Sequence, residues 1–155
     1  MLLTFKFKGI HNNPEMDIQI DDISYFRGPV DEQVNISIDK DYYVNFNLKI
    51  YFTNKNPNDT VIDNDGNIIE DKNFELDDIY IDNESIENYR WAGVYCFNEN
   101  IIDSCLFFGP AGYFELTLAG PGNYKHIQTT TDYPDWKEQY ENWVWAKQIL
   151  KELKN

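Results

Sequence analysis

Acid–base chemistry in this 155-residue chain could come from 27 carboxylates and two histidines, and their spacing assigns it to none of them. His11 and His126 stand outside any motif. A serine or cysteine arrangement can be imagined around either one only because acids are everywhere. There is no glycine-rich phosphate loop, H-E-x-x-H or C-x-x-C pattern. The paired carboxylates of a glycosidase need a defined separation in space, which no pair among so many declares in one dimension. Asp63-Asn64-Asp65-Gly66-Asn67 outlines a calcium loop. An EF-hand with its glycine at the sixth position would, however, have to begin on Val61, so a plain Asp-Gly turn is expected. Cys96 and Cys105 are expected to be buried free thiols, since two cysteines make no disulfide framework. No catalytic residue, metal site or cofactor is therefore expected, and the chain reads as a binding protein and not an enzyme.

Charge is what the sequence concentrates. Between residues 59 and 87 lie eleven carboxylates and one lysine, which is ten of the fourteen net negative charges of the chain. Such crowding is self-repulsive unless something neutralises it. Direct nucleic-acid binding is disfavoured, because phosphates need a basic face. A basic protein partner fits better, drawn in by electrostatic steering. On this reading Asp77, Asp78, Asp82, Glu84 and Glu87 supply the charged contacts, and Trp145 or an outward tyrosine the apolar anchor. In size and charge alone the chain resembles bacterial immunity proteins and phage inhibitors of nucleic-acid-targeting defences. That resemblance implies an inhibitor of a nuclease toxin or other nucleic-acid-processing enzyme. The principal alternative is a carbohydrate- or protein-binding β-sandwich module with an aromatic platform. Tyr43, Tyr51 and Tyr113 fall on outward strand faces and could stack on sugar rings. A hydrolase ranks last.

The elements that must position these residues are mostly strands. Leu3, Phe5 and Phe7 alternate with Thr4, Lys6 and Lys8, and Met16-Asp17-Ile18-Gln19-Ile20 repeats the period of two. Val34, Ile36 and Ile38, then Tyr42 through Phe52, alternate so regularly that a hairpin closed at 39–41 is expected. Its polar face, with Tyr43, Asn45, Asn47, Lys49 and Tyr51, is expected to be wet or to meet a partner. Val61-Ile62 and Ile68-Ile69 flank the Asp65-Gly66 turn, and the parity change at Asp77-Asp78 predicts a bulge. The runs 89–97 and 101–108 read as buried central strands, with Phe97 opposite Ile101. Phe114, Leu116 and Leu118 form the inward side of a strand between two Gly-Pro turns.

From Pro134 the period changes to 3.6, with Trp136, Tyr140, Trp143, Ala146, Leu150 and Leu153 on one stripe. The expected fold is therefore α+β. An antiparallel sandwich-like or strongly curved sheet of about 8–10 strands would fill residues 1–131, and an amphipathic helix at about 134–153 would pack on it, all in one domain. The amino terminus shows no apolar run and no stretch is long enough to span a membrane, so a cytoplasmic protein is expected, and abundant Asn, Ile, Lys, Asp and Tyr point to an AT-rich bacterial or phage genome.

Overall fold

The computed structural model describes residues 1–39 and 46–118. In chain order the strands are β1 (Leu2–His11), β2 (Glu15–Ile20), β3 (Ile23–Pro29), β4 (Gln33–Ser37), β5 (Phe46–Phe52), β6 (Val61–Ile62), β7 (Ile68–Glu70), β8 (Asn73–Ile81), β9 (Glu84–Ser85), β10 (Val94–Phe97), β11 (Asn100–Asp103), β12 (Phe107–Phe108) and β13 (Tyr113–Leu118). They form a smaller sheet ordered β12-β8-β1-β4, with β9 on β8, and a larger sheet ordered β11-β10-β13-β5-β2-β3. The hairpin β6-β7 stands apart from both sheets. The strand pairs described are antiparallel.

Strict alternation makes the sandwich. Along β5 every second residue is buried, and β13 follows the same rule, so Phe46, Leu48, Ile50, Phe52, Phe114, Leu116 and Leu118 all point inward. Leu3, Phe5 and Phe7 of β1, with Phe74, Leu76, Ile79 and Ile81 of β8, answer from the smaller sheet. Aromatic rings lock the two layers together. Phe74 stacks on Phe108 at 4.3 Å within the smaller sheet. It also meets Phe52 of the larger sheet edge-on at 5.1 Å, and Phe108 meets Tyr95 edge-on at 5.2 Å. Each such pair adds about 0.5–1.5 kcal/mol to the burial of its area.

These observations correct the α+β expectation. Among the described residues the helical segments are the short 3₁₀ turns Pro57–Asp59 and Glu87–Ala92, and the architecture is antiparallel β. The physical reason is that the apolar face of each sheet is covered by the other sheet, so neither needs a helix to bury it. The expected helix at about 134–153 lies outside the described residues. No helix among the described residues is long and apolar enough to cross a membrane.

Pairing departs from the sequence pattern in three places. The hairpin expected across residues 39–41 lies partly outside the described residues, and its described strands do not pair with each other: β4 joins β1, with Val34 opposite Phe5, while β5 joins β13, with Phe46 opposite Leu118. Alternation fixes which face a side chain takes but not which strand lies beside it. The β6-β7 hairpin forms as expected, but around the longer loop 63–67, where the Asp63 carboxylate accepts the amides of Asp65 and Asn67, each at 2.9 Å. The run expected as a buried strand at 101–108 instead begins as the edge strand β11, with Ile101 65% exposed. Its register is one residue off: Asn98 and Glu99 both take positive φ, the two-residue turn puts Phe97 opposite Asn100, and Cys96 faces Ile101. The bulge at Asp77-Asp78 is present, because Lys6 pairs with Asp78 while Phe7 pairs with Leu76.

Candidate binding face on the larger sheet

The outward side of the larger sheet is an ordered lattice of polar and aromatic side chains. In one row across the strands Cys96 stands opposite Tyr113, Tyr113 opposite Tyr51, Tyr51 opposite Asp17, and Asp17 opposite Arg27. The next row runs Val94, Glu115, Lys49, Gln19 and Ser24, and a third pairs Thr117 with Asn47. Tyr51 and Tyr113 lie with ring centres 5.0 Å apart and planes inclined by 32°. Both are half-buried.

Local chemistry fixes each member. At the β2-β3 turn Asp21 and Asp22 take positive φ, and Asp21 exchanges hydrogen bonds of 2.9 Å with Asn47. This places the Asp22 carboxylate 3.2 Å from the Lys49 ammonium. That bond raises the Lys49 pKa against the opposing effect of burial. The ammonium also reaches Glu115 at 3.8 Å and stands 5.7 Å from the centre of the Tyr113 ring. Asp17 is 8% exposed, and its oxygens accept from Ser24 Oγ at 2.6 Å and Gln19 Nε2 at 3.1 Å. A buried carboxylate satisfied in this way is a positioning element for those two side chains. Hydrogen bonding to the Cys96 thiol raises the Tyr113 phenol pKa.

At its Tyr113 end the platform opens into a cleft of about 360 Å³ between the β10-β11 turn and residues 111–112. Asn98, Glu99, Asn100 and Phe97 line the far wall. Gly112 makes this close approach possible: a Cβ there would sit 2.2 Å from the Cys96 carbonyl oxygen. The Gly112 carbonyl accepts from Phe52 N–H at 2.9 Å, which holds the register that brings Tyr113 beside Tyr51. Under the same sheet Tyr95 is fully buried, its hydroxyl bonded to the Pro110 carbonyl, and burial drives its pKa upward.

The acidic candidates lie elsewhere, along β8, β9 and the turn after them. Asp77 is the exposed residue of the bulge, 3.3 Å from Lys8 Nζ. Asp78 accepts from Ser85 Oγ at 2.8 and 3.0 Å and from Ile79 N–H at 2.8 Å. Asp82 sits at the β8-β9 turn with positive φ and accepts Leu2 N–H at 2.8 Å. Glu84 pairs with Ile81 at the sheet edge, and Glu87 begins the 3₁₀ turn, its carbonyl accepting Arg90 Nη1 at 2.6 Å. Trp145, Tyr43 and His126 lie outside the described residues. His11 ends β1, exposed, opposite Asn73. No group of three or more histidine, cysteine or carboxylate side chains among the described residues could hold a metal ion.

The lattice residues Asp17, Gln19, Arg27, Glu115 and the cleft asparagines have no sequence motif. The β5 share, Asn47, Lys49 and Tyr51, and the β2 share, Asp17 and Gln19, were visible as the polar halves of alternations. The rest required knowing that β2 and β13 flank β5.

Fold and face together describe an antiparallel β-sandwich that carries an aromatic-polar surface on one sheet. No family model and no curated protein matches the chain. Among solved structures, a carbohydrate-binding module titled "vCBM60 in complex with galactobiose" matches with a TM-score of 0.50 over 74% of this chain and 96% of that one, at 13% identity. This likeness is one of fold.

Proposed function

We propose that the chain is a non-catalytic carbohydrate-binding module that takes its ligand across the outer face of the larger sheet. The observation that carries this reading is the register-locked Tyr51–Tyr113 pair, half-buried and bordered by Lys49, Glu115, Asn47 and Thr117. Sugar rings present apolar C–H faces and hydroxyl edges. Aromatic faces with their negative quadrupole suit the first, and fixed donors and acceptors suit the second. The cleft beside Tyr113 extends the platform by the space of a further sugar unit. That the structural neighbour is a binding module with a disaccharide named in its title adds support at the level of fold.

The basic-partner reading has less support. Lys8, Lys55 and Lys72 fold onto the acidic segment from inside the chain, and several of its carboxylates are engaged by their own backbone.

Calorimetry with a panel of neutral oligosaccharides, galactobiose included, tests the proposal. At least one should bind, and Tyr51→Ala or Tyr113→Ala should weaken it at least tenfold, about 1.4 kcal/mol, while the fold survives. If no glycan binds, or binding is indifferent to both tyrosines, this face is not a sugar site.

A further inference from the structure

On the opposite side of the sandwich the outer face of the smaller sheet holds a second cleft, of about 230 Å³. Thr4 forms its centre, only 7% exposed, with Asn35 of β4 on one side and Tyr80 of β8 on the other in direct register. Gln33 and Lys6 form the adjacent pair, and Asn83 closes one end. The Lys6 ammonium lies 4.7 Å from the centre of the Tyr80 ring.

Lys6 differs from the other lysines described. Lys8, Lys49, Lys55 and Lys72 each have a carboxylate partner, and among the described residues Lys6 has none. Asp78 stands opposite Lys6 in register, but its oxygens are turned to Ser85 and to the Ile79 amide. Among the described residues of a chain of net charge −14, the Lys6 ammonium thus stands without a carboxylate ion pair, half-buried opposite Gln33 and beside the Tyr80 ring.

We infer that this cleft is a second binding site, for a sugar residue that bears a carboxylate. The ligand carboxylate would take the Lys6 ammonium as a charge-assisted bond. Its hydroxyls would exchange hydrogen bonds with the Asn35, Gln33 and Asn83 amides, which both donate and accept. The residues that line the cleft carry one cation and no carboxylate, which matches a single unit of negative charge. The volume lies below the roughly 300–1,000 Å³ of pockets that take drug-sized ligands, which suits one ring and not an oligomer. Because the cleft lies on the other sheet, the inference does not depend on the Tyr51–Tyr113 proposal.

Amide-shift titration of the full chain with galacturonate and glucuronate, alongside galactose and glucose, tests it. Saturable shifts are expected at Thr4, Asn35 and Tyr80 with the uronates, and at least tenfold weaker binding with the neutral sugars. Lys6→Gln should weaken uronate binding at least tenfold and Lys6→Arg should retain it. Asn35→Ala should weaken it less, and Tyr51→Ala/Tyr113→Ala should leave it unchanged. Absence of saturable shifts around Thr4, equal binding of the neutral sugars, or full binding by a folded Lys6→Gln would each overturn the inference.

Discussion

The acidic segment 59–87 and the tyrosine face of the larger sheet are both rich in exposed polar groups, yet they use them in opposite ways. In the acidic segment, carboxylates organise their own surroundings. Asp71 gathers Lys55 Nζ, Thr60 Oγ1, Asn73 Nδ2 and the Lys72 amide, while Asp59 pairs with Lys72 at 3.5 Å. On the tyrosine face the internal bonds serve the flanking side chains, through Asp17 and Asp22, and the two tyrosines stay half-buried. Charge density in a sequence is therefore a poor guide to what a surface offers a partner. What matters is whether the groups are already satisfied from within.

Two glycines give the largest expected contrast. At Gly112 a methyl group would meet the Cys96 carbonyl oxygen at 2.2 Å and Phe97 Cβ at 2.9 Å, and backbone cannot swing aside as a side-chain tip can. Gly112→Ala should cost about 2–4 kcal/mol and disturb the Tyr51–Tyr113 register. Gly66, in the acidic hairpin, has φ of +83° with nothing within 4 Å of the added carbon. Gly66→Ala should cost only the left-handed backbone penalty of about 1–2 kcal/mol. Urea denaturation of both variants makes the comparison. Equal costs would mean that the Gly112 contact relaxes freely and does not set the register.

Asp71 comes next. Desolvation pushes its pKa upward, but the bonds from Lys55, Thr60 and Asn73 prevail and bring it from 3.8 down to about 2. A carboxyl with a depressed native pKa stabilises the fold fully above its unfolded value and loses that contribution as pH falls through the native one. Asp71→Asn should therefore cost about 1 kcal/mol near neutrality, allowing for solvent screening. The gap from wild type should close between about pH 4 and pH 2. A gap that persisted unchanged at pH 2 would show that shape, and not ionisation, is what the residue contributes.

Much of the fold was legible because alternation reports burial directly. The inward sets of β1, β2, β5 and β13 were all assigned correctly, as was the bulge at Asp77-Asp78. Neighbour relations were hidden for the same physical reason. Strands with the same period are interchangeable until long-range pairing chooses among them, so β4 and β5 looked like one hairpin. At the site, Tyr51 and Tyr113 were readable as outward aromatics, whereas their adjacency and the Asp17–Ser24–Gln19 network exist only in the assembled sheet. The ion pairs that Asp71 and Asp77 make were hidden too, because Lys55 and Lys8 come from outside the acidic segment.

The smallest expected effect lies inside the bulge, where two adjacent carboxylates face different environments. Asp77 and Lys8 are both about half exposed, at 48% and 58%, so their 3.3 Å pair is screened by water. Asp77→Asn should change stability by less than about 0.5 kcal/mol. Asp78 instead ties β9 to β8 through Ser85 and accepts the Ile79 amide, so Asp78→Ala should cost about 1 kcal/mol. Neither change should alter sugar affinity at Tyr51 and Tyr113, since the bulge belongs to the other sheet. Thermal melts and calorimetry on both variants read the two quantities separately. A drop in sugar affinity with Asp77→Asn would couple the acidic edge to the tyrosine face and end the division of labour between the two regions.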